Sequence, residues 1–149
     1  MSRRGYFGIG VYHPKREVNV GTLWRHAYLY GASFIFTIGQ RYGRQCADTS
    51  NTPDHLPLYA YDSFESFAAH SPRDCELVCV ELAPSSCPLP EFRHPERAAY
   101  LLGAEDHGLP SAILSGRTCV EIPSVRGWSM NVAVAGTLVM YDRYAKGPQ

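Results

Sequence analysis

Apolar and polar positions along this chain fall into short blocks that read alternately as strands and helices. Gly5 to Tyr12, GYFGIGVY, mixes β-branched and aromatic residues with glycines and predicts a buried first strand whose backbone is closely approached. The polar HPKREVN that follows reads as a turn. In GTLWRHAYLYG, Leu23, Ala27 and Tyr30 lie near helical spacing, and Gly31 suits a C-terminal cap. SFIFTIG predicts a second strand, and the turn-rich stretch from Gln40 to Pro57 reads as a loop of functional length. Asp62 to Ala69 predicts a short helix capped by Ser63, and CELVCVEL a buried strand. The proline-rich APSSCPLPEFRHP is a connector that continues neither element. AAYLLG predicts a strand, LPSAILSG a short helix opened by proline, and TCVEIP a further strand. From Ser129 to Tyr144 the chain is apolar on most of its circumference, which predicts a helix buried against the sheet or a partner. The alternation predicts an α/β fold, a mostly parallel sheet flanked by helices, with ligands at the carboxyl ends of the strands.

Composition narrows the function without naming it. The 149 residues, 45% of them hydrophobic, suffice for one core, so a single domain over 1–149 is expected. Fourteen Lys and Arg offset 14 Asp and Glu, so net charge carries no nucleic-acid signature. Any positive potential must come from clustering in the first third, where Arg3, Arg4, Lys15, Arg16, Arg25, Arg41 and Arg44 lie. Cys46, Cys75, Cys79, Cys87 and Cys119 form no C-x-x-C pair and have no histidine at zinc-finger spacing. We therefore expect reduced thiols, no metal and a cytoplasmic protein, with no signal peptide and no apolar run near about twenty residues to suggest a membrane. Neither G-x-G-x-x-G nor a P-loop is present, which argues against a generic nucleotide-binding domain.

Three segments carry the candidate chemistry: Asn19-Val20-Gly21-Thr22-Leu23-Trp24-Arg25, Leu102-Gly103-Ala104-Glu105-Asp106-His107-Gly108-Leu109-Pro110, and Ile122-Pro123 followed by Ser129-Met130-Asn131-Val132-Ala133-Val134-Ala135. Gly103 ends a strand where a backbone must approach closely, and Gly108 permits a turn before Pro110 starts a helix. Taken singly, each segment has a plain structural reading. The second is a tight strand-to-helix loop, Ser129 and Asn131 are helix caps, Ile122 and Met130 are core, Arg25 is a solvated helix arginine, and Glu105 binds loop N–H groups. In this order and at these separations, however, they resemble the N-x-G-x-x-x-R, L-G-x-E-x-x-G-L-P and Ile-Pro…Ser-x-Asn motifs of the SpoU, or TrmH-type, RNA ribose methyltransferases of the SPOUT superfamily. Together they span Asn19 to Ala135, most of the chain.

That resemblance implies a C-terminal deep trefoil knot, which composition could not predict. It implies an S-adenosyl-L-methionine (AdoMet) pocket lined by Gly103, Ile122 and Ser129, with Met130 packing nearby and the strand end around Glu81 completing it. It also implies methyl transfer to a ribose 2′-hydroxyl. Arg25 is the expected catalytic residue, Asn19 and Glu105 hold its network, and Ser129 and Asn131 complete the set. An arginine stays protonated, so its expected work is to aim the hydroxyl, stabilise the developing alkoxide and hold a neighbouring phosphate. The pattern is broken at Ser124, where many relatives carry methionine, and in the loop Val125-Arg126-Gly127-Trp128. Trp128 reads either as a base-stacking residue or as a core or dimer anchor. With eighteen residues ahead of Asn19, the body itself is expected to recognise RNA, tRNA before rRNA, as a homodimer paired through its first and last helices. Methylation of a base nitrogen, and a noncatalytic RNA-binding module, are the competing readings.

Overall fold

The computed structural model describes residues 5–39, 52–103 and 106–149. Arg3, Arg4, Arg41, Arg44, Cys46 and Glu105, and most of the expected loop from Gln40, lie outside them. Seven described strands form one sheet: β1 (Tyr6–Tyr12), β2 (Phe34–Ile38), β3 (Leu58–Tyr61), β4 (Glu76–Val80), β5 (Cys87–Pro88), β6 (Arg97–Leu102) and β7 (Thr118–Glu121). Their order is β3-β2-β1-β6-β4-β7-β5, and every neighbouring pair is parallel. The helices are α1 (Glu17–Leu29), α2 (Thr52–His55), α3 (Phe64–His70), α4 (Ser111–Leu114) and α5 (Val132–Lys146).

Because a parallel sheet is covered on both faces, its strands bury both sets of alternating side chains. One face packs Phe7, Ile9 and Val11 of β1 and Tyr100 and Leu102 of β6 against Leu23, Trp24 and Ala27 of α1 and Ala135, Val139 and Met140 of α5. The other packs Phe34, Phe36, Ala99 and Leu101 against Phe67 of α3 and Ile113 of α4. The close approach expected at β1 is real: a Cβ on Gly8 or Gly10 would run into the rings of Phe34 and Phe36. Gly136 does the same for α5, since a Cβ there would meet Leu23, Leu102 and Ile9 side chains.

Several boundaries differ from the sequence reading. α1 begins at Glu17, so Asn19 lies inside the helix rather than in a turn before it. Its buried stripe starts one turn earlier, at Val20, while Arg16 at the N-cap makes no side-chain capping bond that would have marked the start. Its end is as expected: Gly31 is left-handed at φ 81°, its N–H bonds to Tyr28, and Ala32 N–H reaches Ala27. α2 occupies the expected loop, and the indole of Trp24 donates to the Leu56 carbonyl beside it at 2.9 Å. β3, an edge strand on β2, was not anticipated, nor was the two-residue β5 inside the proline-rich connector, where proline is tolerated because the strand is an edge. Ser63 caps α3 as expected, accepting from Ser66 N–H at 3.1 Å. Cys79 and Cys119 are register partners on β4 and β7, and burial pushes the Cys79 thiol up to about 12.

The C-terminal half of α5 is held by a polar network that the sequence did not reveal. Arg143, only 2% exposed, donates to the carbonyls of Pro95 (2.6 Å) and Glu96 (2.9 Å) and to the Tyr100 hydroxyl (3.0 Å). His94 is buried and bonded on both ring nitrogens, to Tyr100 Oη at 2.7 Å and to Asp142 Oδ2 at 2.7 Å. Burial lowers the His94 pKa, opposed by Asp142 and reinforced by Arg143 and Lys146. The neutral ring fits both bonds, donating from Nε2 to the carboxylate and accepting the tyrosine proton at Nδ1.

The folded protein therefore keeps His94 neutral while the unfolded chain protonates it at its ordinary value of 6.5. Below that value the unfolded state binds more protons, so stability should fall as pH drops through it, until the lowered folded value is passed. Urea unfolding from about pH 8 to about pH 5 should show this loss, and His94→Gln should lack that part of the slope. Identical slopes for the two proteins would show that His94 does not contribute.

Candidate active site

A cavity of about 590 Å³ opens at the carboxyl ends of β4, β6 and β7. Its walls are Val80–Leu82 after β4, Leu102 and Gly103 with Asp106–Gly108 after β6, and two stretches after β7, Glu121–Ser124 and Gly127–Met130; Val132 and Ala135 of α5 complete them. This size suits a ligand of cofactor dimensions. Five residues expected at a cofactor pocket, Glu81, Gly103, Ile122, Ser129 and Met130, therefore line one cavity although they come from three separate segments.

The loop after β6 is folded against its own strand end. A Cβ on Gly103 would lie 2.7 Å from backbone atoms of Gly108, and Gly108 itself is left-handed at φ 64°. Glu81 braces this loop: its carboxylate accepts Leu109 N–H at 2.9 Å and Leu82 N–H at 3.1 Å. Glu81 thus touches the cavity, but its oxygens are already engaged in shaping the loop. Three acidic residues, Glu81, Asp106 and Glu121, line the cavity from three strand ends, while Ile122 and Met130 add half-buried apolar surface. Acidic edges beside an apolar patch and exposed loop backbone fit a ligand that carries positive charge and an aromatic ring.

Asn131 serves in two ways at once. Its Oδ1 caps α5, accepting from Ala133 N–H at 2.9 Å and Val134 N–H at 3.2 Å, and its Nδ2 donates to Asn19 Oδ1 at 3.2 Å. The cap alone stabilises by about 1 kcal/mol; the second bond joins the first motif to the third. Ser129 lies in the loop before the helix, exposed at the cavity wall. Arg25 is not among the cavity residues. It lies on the exposed face of α1, at helical spacing from Val18 and Leu29, which are 66% and 64% exposed. Trp128, 85% exposed on the cavity rim, is not a core anchor.

Asp106, His107, Leu82 and Glu121 were missed as cavity residues, because the motifs fix glycines and not the positions between them. The Lys15 ammonium pairs with the Asp106 carboxylate, tying the segment after β1 to the loop after β6 and holding the Asp106 carboxyl below its usual range. Among the described residues no cluster of His, Cys, Asp and Glu could hold a metal ion, and no helix is long and apolar enough to cross a membrane.

Comparison with known proteins agrees with this arrangement. The SpoU rRNA Methylase family matches residues 7–141. The mouse tRNA (guanosine(18)-2'-O)-methyltransferase TARBP1 is 28% identical over 138 residues, 85% of this chain; the chain spans only 8% of that relative's length. A solved structure concerned with the 2-OH methylation of C/U34 on tRNA superposes with a TM-score of 0.78 and 25% identity, covering 97% of this chain and 99% of that one. The AdoMet-bound rRNA methyltransferase from Sinorhizobium meliloti shares the fold at a TM-score of 0.85 and 20% identity, covering 100% of this chain and 60% of its own. The A. aeolicus TrmH/SpoU tRNA modifying enzyme does so at 0.82 and 18%, over 98% of this chain and 79% of its own. With its three motif segments meeting at the strand ends and the family match running almost from end to end, the chain belongs to the SpoU rRNA Methylase family.

Proposed function

We propose that this protein is an RNA methyltransferase that uses AdoMet to methylate a ribose 2′-hydroxyl, with tRNA as the substrate. The observation that carries this reading is the single cavity that Gly103, Ile122, Ser129 and Met130 line together. The choice of ribose and tRNA follows the mouse and C/U34 relatives.

In this reading Ile122 and Met130 pack against the cofactor, the backbone after β6 and β7 supplies hydrogen bonds, and the Glu81, Asp106 and Glu121 carboxylates complement its positive charge. AdoMet, when bound, supplies an electrophilic methyl group, so what the chain itself must do is aim and activate the hydroxyl. Arg25 is suited to both, since a planar five-donor cation can hold a phosphate and stabilise an alkoxide without giving up a proton. Asn19 and Asn131 position the start of α1 relative to the cavity, and Ser129 and Glu105 complete the proposed catalytic set. Trp128 stands where it could stack on a base. The deep trefoil knot of the resemblance belongs to this proposal, its loops being those after β6 and β7.

Dimerisation is part of the same proposal, because Arg25 is not part of its own cavity wall and sits on an apolar face. Val18 and Leu29 of α1 and Val134, Leu138, Tyr141 and Tyr144 of α5 are exposed, and Tyr30 joins the helices by ring contacts to Tyr141 (6.2 Å) and Tyr144 (6.1 Å). The small residues that would admit a partner closely do not form this face: Ala133, Ala135 and Gly136 are buried, with Gly136 against the chain's own α1 and sheet. A twofold pairing of the α1–α5 surface covers the apolar stripe and brings Arg25 to the partner.

Three outcomes are expected. Calorimetry in EDTA should detect binding of S-adenosylhomocysteine to folded protein, and no heat at saturating ligand would sink the cofactor assignment. Arg25→Ala should keep that binding and lower methyl transfer to tRNA by at least ~100-fold, with little rescue by Arg25→Lys; nuclease digestion and mass analysis of the product should place the methyl on ribose. Light scattering should return twice the 16.6 kDa chain mass. Leu138→Glu or Tyr141→Glu should abolish dimer and activity together, and a fully active monomer would refute the pairing.

A further inference from the structure

A second cavity, of about 620 Å³, lies on the other side of the loop after β6 and shares His107 and Gly108 with the first. Its remaining walls are Tyr12, at the end of β1, the segment His13-Pro14-Lys15 and Pro110. Nothing in the proposed methyl transfer uses these residues. Their chemistry is specific: two imidazoles, a phenol ring and two prolines offer flat faces, and an ammonium stands at one side.

We propose that this cavity is a subsite for one nucleotide of the substrate RNA, holding its base against the Tyr12 and His13 rings and its phosphate with Lys15. The inference rests on the methyl-transfer reading and deepens it. Three observations support it. The two cavities are separated by one loop, so a strand whose reacting ribose lies at the first places a neighbouring nucleotide within reach of the second. The rings of Tyr12 and His13 form a tilted pair with centroids 4.3 Å apart, a sequence-tolerant stacking surface of the kind that holds single-stranded bases. And His13 holds its ring there from the left-handed region, at φ 50°, which non-glycine residues as a class seldom adopt.

That ring has a built seat. The His13 N–H donates to the Ile38 carbonyl at 2.8 Å, and the imidazole lies over Gly39, where a Cβ would come within 2.9 Å of it. Lys15 is engaged with Asp106, but both side chains are about half exposed, and an exposed ion pair is weak enough for a phosphate to compete for the ammonium. Arg16, the next residue and also exposed, adds a second cation beside the first.

The test uses folded wild type, Lys15→Glu, Tyr12→Ala and His13→Gly. The last removes the ring while glycine keeps the left-handed turn without strain, so the fold survives it. Saturation-transfer NMR with ribonucleoside 5′-monophosphates reads this cavity directly, calorimetry with S-adenosylhomocysteine reads its neighbour, and steady-state methylation of tRNA transcripts gives KM and kcat. We expect mononucleotide transfer to fall at least ~5-fold in every variant and KM for tRNA to rise ~10-fold, the scale of losing one stacked base. Affinity for S-adenosylhomocysteine should stay within about two-fold. Mononucleotide transfer that is absent from wild type, or equal in wild type and variants, overturns the subsite. Mononucleotide transfer that depends on these residues in a protein that ignores S-adenosylhomocysteine keeps the subsite and overturns the methyl-transfer reading.

Discussion

The position of α5 is the constraint on which the rest of this molecule depends. Gly136 lets the helix settle on Leu23, Leu102 and Ile9, where any side chain would hold it away. Beyond that point Arg143 reaches past Phe7, with its guanidinium 4.8 Å from the ring centroid, to the chain that leads into β6. Its bond to Tyr100 is expensive to lose, because a buried acceptor left without a donor costs about 1–3 kcal/mol. Tyr100 couples this anchor to the sheet: its hydroxyl, pushed up to about 12 by burial, stays protonated and links Arg143 to His94. An apolar seat and a polar anchor thus fix the C-terminal part of the helix.

The N-terminal part of α5 then has little freedom, and this part shapes the cavity. Val132 and Ala135 contribute to its wall, and Asn131 caps the helix while holding Asn19 of α1. The opposite wall is fixed by Glu81, which holds the loop after β6 through Leu109 N–H. One carboxylate and one carboxamide therefore set the cavity from two sides, each bonded to backbone N–H groups. Both were candidates for direct contact with ligand or substrate, yet the bonds they make here are chiefly to the protein itself. Their chemistry is that of positioning, and a site held this way is formed before anything binds.

Legibility in the sequence followed how local each signal was. The Schellman end of α1 at Gly31 and the Ser63 cap of α3 were readable because each needs only a few adjacent residues of the right type. The start of α1 was not, since Arg16 gives no capping signal and the polar run HPKREV hides its first helical turn. β3 and β5 escaped because edge strands of four and two residues have too few positions to show a period. That Gly103, Ile122, Ser129 and Met130 would come together was legible through motif order, which encodes a juxtaposition that spacing along the chain cannot. Lys15–Asp106, His94–Asp142 and Arg143–Tyr100 were illegible for the converse reason: each joins residues 43 or more apart that no motif connects.

The balanced charge of the chain acquires a physical sense once the groups are placed. Glu81, Asp106 and Glu121 line the first cavity, whereas Lys15, Arg16 and Arg25 lie on the segment from the end of β1 into α1. A chain with 14 charges of each sign can present an acidic concavity and a basic surface at once, because Coulombic influence between exposed groups fades within about 10 Å. The proposed reaction needs that separation: a cationic cofactor and a polyanionic substrate must lie side by side without either surface rejecting its neighbour. The pair between Lys15 and Asp106 sits on the border between the two fields, tying the basic segment to the acidic loop.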